Sequence, residues 1–306
     1  MNRVLVIGAA GMIGRKLTAR LLKEGVGELI QQDVVPFEGT VSDLSAPGEA
    51  EKLIAKRPDL IFHLAAVVSG EAEADFDKGY RVNLDGTRYL FEAIRKEGYK
   101  PKVVFTSSIA VFGAPFPEAI GDEFLNAPLT SYGTQKAIGE LLLSDYSRRG
   151  LFDGIGIRLP TICVRPGKPN KAASGFFSGI LREPLAGQEA VLPVPDTVRH
   201  WFASPRAAIE FLIHASRINT ELLGTRRNLS MPGLSCTVAE QIAALGRVAG
   251  DKATRLIRRE PDQTIMRIVE GWPRNFDARR ALALGFRPDP CFEDIIRFHL
   301  EDELGR

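Results

Sequence analysis

Arg3-Val4-Leu5-Val6-Ile7-Gly8-Ala9-Ala10-Gly11-Met12-Ile13-Gly14 is the stretch that decides the fold. Arg3 to Ile7 is short, apolar and β-branched, the pattern of a buried strand. A glycine-rich turn follows, and then Ile13, Leu17 and Leu21 recur at helical spacing, with Gly25 as a C-terminal cap. Strand, turn and helix in that order form a phosphate cradle. Gly8, Gly11 and Gly14 let the backbone turn tightly and approach a pyrophosphate, and the helix N-terminus offers unpaired N–H groups. Met12 and Ile13 sit at that terminus. The spacing is G-x-x-G-x-x-G rather than G-x-G-x-x-G. A tight strand-to-helix turn needs glycine anyway, so the motif points to a dinucleotide only because strand and helix flank it.

Bulk properties set the outer limits. A chain of 306 residues has room for one or two domains, and 44% hydrophobic with 25% charged residues is ordinary for a globular enzyme. With 40 basic and 38 acidic residues the formal charge is +2, which argues against nucleic-acid binding through bulk charge. Cys163, Cys236 and Cys291 are far apart and give neither a metal spacing nor a disulfide framework. No apolar run approaches a membrane span, and the head of the chain reads as a core strand rather than a signal peptide. Cytoplasm is the expected compartment.

Further along, Glu28 to Asp33 reads as a second strand ending in an acid, placed to accept the ribose hydroxyls of an adenosine. Val34, Val35 and Pro36 follow it, with no cation for a 2′-phosphate, so NAD is expected over NADP. Asp43 and Leu44 fall where an adenine would lie. Residues 47–57 look helical, Asp59 to Ala66 reads as a buried strand, Asp77 to Lys96 as a helix, and Lys102 to Ser108 as a strand ending in hydroxyls. His63, inside an apolar run, reads as a core residue. Strands alternating with helices predict an α/β fold, a Rossmann-type doubly wound parallel sheet. Beyond it, 153–162 predicts one more strand, 174–182, 204–217 and 237–249 predict helices, and Arg227 to Ser230 a strand. The expected division is a cofactor domain over 1–165 and a smaller α+β substrate-binding region over 166–306, with interleaving allowed.

Tyr132-Gly133-Thr134-Gln135-Lys136 is the sharpest constellation, with Thr130-Ser131 as N-cap residues. On a helix, Tyr132 and Lys136 share a face. A phenol, with an ordinary pKa of about 10, is a poor base at neutral pH. A neighbouring ammonium and an oxidised nicotinamide favour the phenolate, so Tyr132 could take a proton as hydride leaves a carbinol carbon. Ser108 could bond the same oxygen. A Tyr and a Lys four apart often share a helix by chance; the glycine loop and the hydroxyl-ended strand give this pair its meaning.

These pieces together resemble the extended short-chain dehydrogenases/reductases, a family that includes nucleotide-sugar epimerases and dehydratases. The matching runs are G-A-A-G-M-I-G at 8–14, Asp33, D-L at 43–44, H-L-A-A at 63–66 and N-L-D-G-T at 83–87. F-T-S-S-I-A-V-F-G at 105–113, Y-G-T-Q-K at 132–136, R-L-P-T-I at 158–162 and A-L-G-F-R-P at 283–288 complete them. The resemblance implies Ser108, Tyr132 and Lys136 as the catalytic residues, with Ser107 the alternative hydroxyl, Tyr132 the acid–base group and Lys136 also on the nicotinamide ribose. It implies Leu64, Ala65, Ala66, Asn83, Pro160 and Ile162 beside the cofactor, for which core packing is the plainer role. A homodimer through the helix of Tyr132 and Lys136 is the assembly it implies, although Ala137, Leu141, Leu142 and Leu143 are also explained by packing on the sheet.

Within the family, the run from Pro160 to Pro205 is most similar to enzymes that oxidise the C2 hydroxyl of a small sugar acid with NAD, D-erythronate to 2-oxo-D-erythronate. Such an acid needs a cation for its carboxylate and polar groups for its hydroxyls. Arg165, Lys168, Asn170, Lys171, Ser174, Arg199 and His200 supply both kinds. Arg199 and Lys171 are expected near the carboxylate, with Ser69, Ser131 and Asn170 near the hydroxyls. The alternative is a nucleotide-sugar epimerase or dehydratase, with Arg199 reaching a diphosphate. A third reading, a non-catalytic NAD-binding regulator, fits poorly with a chain that keeps both Tyr132 and Lys136.

Overall fold

Val4, Leu5, Val6 and Ile7 are each 0% exposed, so the strand β1 (Arg3–Ile7) is covered on both faces, as the inner strand of a parallel sheet must be. The structure is a computed structural model and describes residues 2–167 and 173–306. After β1 come α1 (Met12–Lys23), β2 (Glu28–Asp33), β3 (Thr40–Val41), α2 (Glu49–Ile54) and β4 (Leu60–His63). Then follow α3 (Ser69–Ala74), α4 (Phe76–Gly79), a π-helical turn over Tyr80–Asp85, α5 (Gly86–Glu97) and β5 (Lys102–Ser108). Beyond a short 3-10 helix at Ile109–Val111 lie β6 (Ile120–Gly121), α6 (Ser131–Arg148), β7 (Asp153–Leu159) and β8 (Thr161–Ile162). The rest of the chain begins with α7 (Gly175–Leu185), β9 (Ala190–Leu192), β10 (Arg199–Ala203), α8 (Pro205–Arg217), β11 (Asn228–Ser230) and β12 (Leu234–Thr237). It closes with α9 (Val238–Ala249), α10 (Asp251–Thr254), β13 (Ile257–Arg259), α11 (Gln263–Glu270), β14 (Phe276–Asp277), α12 (Arg279–Ala283) and α13 (Phe292–Leu304).

Two packing units are formed. The first comprises Met1–Val111, Pro128–Arg158 and Ile209–Ser230, and the second Phe112–Ala127, Leu159–Ala208 and Met231–Arg306. A single cut at 165 therefore does not describe the chain. Residues 209–230 return to the first unit because β11 pairs in parallel with β7 at the sheet edge. Pro160 separates β7 from β8 where one strand over 153–162 was expected, since proline has no N–H to give a ladder.

The first unit is a Rossmann-type parallel sheet of seven strands among the described residues, in the order β11-β7-β5-β4-β1-β2-β3. Leu5, Ile7, Ile61, Phe91, Phe105, Leu143 and Phe152 form the core on one face of it. Each fully buried Phe or Leu contributes about 1.5–3 kcal/mol. The helix expected over Asp77 to Lys96 is interrupted by the π-helical turn. There Asn83 turns its amide to the backbone of Val67, and the Thr87 hydroxyl donates to Asn83 O at 2.7 Å.

α6 owes its position to missing side chains. A Cβ on Gly133 would lie 2.2 Å from the carbonyl oxygen of Ala110, and one on Gly139 would lie 2.8 Å from the Phe105 ring. Of the apolar residues on α6, Leu143 is 0% and Ala137 8% exposed, whereas Leu141 is 69% exposed. The second unit carries a sheet ordered β12-β10-β8 and the strand pairs β13-β9 and β14-β6. Phe177, Phe202, Leu245, Phe292, Ile295 and Ile296 lie in its core. Among the described residues, no helix is long and apolar enough to cross a membrane.

Gly133→Ala tests the close approach. Overpacking against a fixed carbonyl costs about 1–3 kcal/mol and outweighs the ~1 kcal/mol that Ala adds to a helix. Urea unfolding should show a net loss of stability, while Gly121→Ala, with nothing within 4 Å of its Cβ, should stay within about 0.5 kcal/mol. Equal midpoints for the two variants would mean that α6 has room to move.

Candidate active site

The turn after β1 is held on three sides. Gly8 has φ +87°, and a Cβ there would lie 2.7 Å from Ala65 N, so the turn rests on the segment after β4. A Cβ on Gly14 would meet Gly8 O at 2.1 Å. The N–H groups of Gly8 and Ala9 donate to Gln32 O at 2.8 and 3.0 Å, and Ala10 N donates to the Asp33 carboxylate at 2.9 Å. Asp33 therefore stands beside the loop, where a ribose and a pyrophosphate would be neighbours. α1 begins at Gly11 with no side-chain cap and no acid in its first turn, so nothing competes with an anion for the N–H groups of Met12, Ile13 and Gly14. These residues fit a dinucleotide. Val34 and Val35 beyond Asp33 are 62% and 49% exposed and offer no charge to a 2′-phosphate.

Other residues expected at the cofactor bond or pack within the protein. The Asp43 carboxylate accepts from Ser45 N at 2.9 Å, Ser45 Oγ at 2.6 Å and Arg81 Nη1 at 2.6 Å, and Leu44 is buried in the core. Asn83 is 2% exposed. Its Oδ1 accepts from Val67 N at 2.9 Å, and its Nδ2 donates to Val67 O at 3.1 Å and to Gln135 Oε1 at 2.7 Å. Asn83 thus braces the segment Leu64, Ala65 and Ala66 from behind. Leu64 N and Ala65 N donate to Ile7 O, which keeps that half-buried segment at the mouth of β1. Pro160 and Ile162 are buried in the second unit.

Thr130 caps α6 by accepting the Gly133 N–H at 3.0 Å. Tyr132 is half-buried and Lys136 only 3% exposed. The Lys136 ammonium donates to Thr106 O at 2.8 Å, and its Nζ lies 4.9 Å from the Phe105 ring centre and 5.9 Å from that of Tyr132. Burial pushes its pKa down to about 8 against the opposing pull of Glu140, so Lys136 is still a cation at neutral pH. Ser108 ends β5, half-buried, with Oγ accepting the Ala110 N–H at 3.1 Å. Ser107, on the opposite face of the strand, is buried and donates to Glu140 Oε1 at 2.6 Å. Of the two hydroxyls, Ser108 is the one turned from that network. Ser69 and Ser131 are half-buried at the first turns of α3 and α6. His63 is buried, and Thr87 already donates to Asn83 O, so His63 Nε2–H donates to Thr87 Oγ1 at 2.8 Å. Burial, with Lys136 adding to it, pushes its pKa to about 3, and the ring is neutral.

In the second unit, Arg199 Nη1 donates to Ser235 O at 2.8 Å and Nη2 lies 3.3 Å from the Glu240 carboxylate. His200 is not available to a ligand: it is 3% exposed, donates from Nδ1 to Pro273 O at 2.8 Å, and accepts the Thr161 hydroxyl at 2.6 Å. Burial pushes its pKa down to about 4. Lys168, Asn170 and Lys171 lie outside the described residues. Among the described residues, no cluster of His, Cys, Asp and Glu could hold a metal ion. Sequence reading missed Gln135, Glu140 and Arg158. Their one signal was charge or amide at positions where helix α6 and strand β7 require burial.

The chain matches the NAD dependent epimerase/dehydratase family over residues 4–203 and belongs to it. It is 48% identical over 98% of its length to a D-erythronate dehydrogenase of Cupriavidus necator, of which 98% is covered. It is 41% identical over 99% of its length to a D-erythronate dehydrogenase of Haemophilus influenzae, of which 100% is covered. A crystal structure described as the nucleoside-diphosphate-sugar epimerase from Agrobacterium tumefaciens superposes with a TM-score of 0.94 at 67% identity, covering 99% of this chain and 95% of that one.

Asp33→Ala should weaken NAD binding. A hydrogen bond to a charged group contributes about 1.5–3 kcal/mol, so titration of tryptophan fluorescence should show Kd rising roughly tenfold to a hundredfold. An unchanged Kd would place the adenosine ribose elsewhere.

Proposed function

We propose that this family member oxidises the C2 hydroxyl of a small sugar acid, D-erythronate, to 2-oxo-D-erythronate with NAD. The observation that carries the reading is the likeness, over nearly the whole chain, to two D-erythronate dehydrogenases. The site supports it chemically. Gly8, Gly11, Met12, Ile13, Gly14 and Asp33 would hold the cofactor, with Asp43, Leu44, Leu64, Ala65, Ala66, Asn83, Pro160 and Ile162 around it, and Lys136 on the nicotinamide ribose. When bound, NAD supplies the hydride acceptor. Tyr132 takes the proton of the C2 hydroxyl as the carbonyl forms, and the Lys136 ammonium nearby favours negative charge on its oxygen. Ser108 bonds the same substrate oxygen: its Oγ accepts from Ala110 N, and its own hydrogen finds no acceptor among the described residues. Phe105 beneath Lys136 keeps water from one side of the ammonium.

On chemistry alone, Arg199 and Lys171 are assigned to the substrate carboxylate, and Ser69, Ser131 and Asn170 to its hydroxyls. A carboxylate asks for a charged donor, and the Arg199 guanidinium is part-exposed.

NADH absorbance, followed with four- to six-carbon sugar acids beside UDP- and GDP-sugars, tests the reading. Turnover of D-erythronate alone is expected; conversion of a nucleotide sugar without net NADH would make the protein an epimerase. Tyr132→Phe should lower kcat by about 10²–10⁴ with NAD affinity kept, and a near wild-type rate would remove Tyr132 from the mechanism. Arg199→Ala should raise KM for the acid about tenfold with kcat held, the pattern of lost uniform binding. If KM does not move, the carboxylate is held by other groups.

A further inference from the structure

Glu140 follows Lys136 by one turn of α6 and is 1% exposed. Its carboxylate accepts from Ser107 Oγ at 2.6 Å, from Arg158 Nε at 2.8 Å and from Arg158 Nη2 at 2.7 Å. Arg158, on β7, is itself 6% exposed. A buried pair of charges is costly to desolvate, and apolar residues of the same size often serve stability as well, so a stability role alone does not account for it. Its placement does. Ser107 is the residue before Ser108, so one carboxylate joins the strand end that presents the site hydroxyl, the helix that carries Tyr132 and Lys136, and β7.

Glu140 is also the anion that opposes the effect of burial on Lys136. The other titratable or charged groups around the ammonium are Tyr132 on its own helix, His63 on β4 and Arg158 on β7. His63 is neutral and Arg158 is turned onto Glu140 through Nε and Nη2, so Glu140 is the one counter-charge described there. We propose that Glu140 is a positioning residue of the reaction, fixing the helix of Tyr132 and Lys136 against the strand end of Ser108 and supplying the anion that answers the Lys136 ammonium. This inference rests on the reading of Tyr132 and Lys136 as the reacting pair.

The test uses Glu140→Gln, which keeps size and an acceptor for Ser107 but removes the charge. Glu140→Gln/Arg158→Met removes both charges and guards against a fold lost to an unpaired guanidinium. In NAD-loaded protein, the titration of Lys136 is followed by carbon NMR of ε-labelled lysine, assigned with Lys136→Arg. Its midpoint should fall by about one pH unit, tenfold in acid dissociation, in folded Glu140→Gln, and by less in the double variant, which loses the Arg158 cation as well. With D-erythronate, kcat should drop roughly a hundredfold at most, as expected of a misplaced catalytic group, while KM and NAD Kd stay within about threefold. The high-pH limb of kcat should move to lower pH with the lysine midpoint, because the cation is lost as pH rises through it. Glu140→Asp should restore the midpoint. A folded variant whose Lys136 midpoint does not move overturns the proposal. If the wild-type protein leaves D-erythronate untouched, the functional reading fails, and the lysine titration still decides the role of Glu140.

Discussion

The Lys136 ammonium is 3% exposed, and the one hydrogen bond described for it goes to the carbonyl of Thr106. An ammonium so far from water keeps its proton only if its surroundings supply negative charge or dipoles. Much of the first unit answers that requirement. β5 donates a carbonyl and an aromatic face, and α6 donates Glu140 one turn on. β7 contributes Arg158, whose Nε and Nη2 hold that carboxylate in place. His63, on β4, is kept neutral by burial and adds no competing cation. The arrangement is a charge ladder built across three adjacent elements, and Tyr132 stands at its solvent end.

Such a ladder needs α6 to lie unusually close to the sheet. Gly133 and Gly139 face Ala110 O and the Phe105 ring, and Gly154 and Gly156 on β7 leave room for Leu143, Ser147 and Asn228. Local helix propensity is sacrificed at Gly133 and Gly139 for interatomic approach. The reading of Y-G-T-Q-K in the sequence recognised Tyr132 and Lys136 by their spacing, but the glycine between them has the equally physical task of letting the helix seat.

Legibility followed range. Arg3–Ile7, Glu28–Asp33 and Lys102–Ser108 are strands bounded where the apolar runs end, because their signals are local and continuous. The π-helical turn at Tyr80–Asp85 was invisible, since it depends on Asn83 reaching Val67 and Gln135, which lie 16 and 52 residues away. The same distance effect hid the pairing of Glu140 with Arg158, 18 residues apart. Asn83 and Leu44 show a second limit of range. A motif marks a position as close to a ligand without saying whether its side chain or only its backbone faces that ligand, and here both side chains face the protein. The interleaving of the two units followed from β11 returning to pair with β7, a tertiary choice that no window of sequence records.

The proposed role of Arg199 at the substrate carboxylate can be weighed against the charge balance around it. Glu240 closes the capping box of α9, and the Thr237 N–H holds its carboxyl below the usual range, so it is an anion at every pH of interest. It stands 3.3 Å from the Arg199 guanidinium and removes part of the field that Arg199 would offer. A nucleotide diphosphate brings at least two negative charges and would meet Glu240 as a like charge beside its only described guanidinium partner. A monocarboxylate brings one charge, which a bidentate guanidinium can bond without a net surplus of cation. Because the acid is fixed by its helix cap, it cannot withdraw to accommodate a dianion. If Arg199 holds the substrate carboxylate, as proposed above, Glu240 beside it favours the ligand of lower charge, the direction in which the likeness to the sugar-acid dehydrogenases also points.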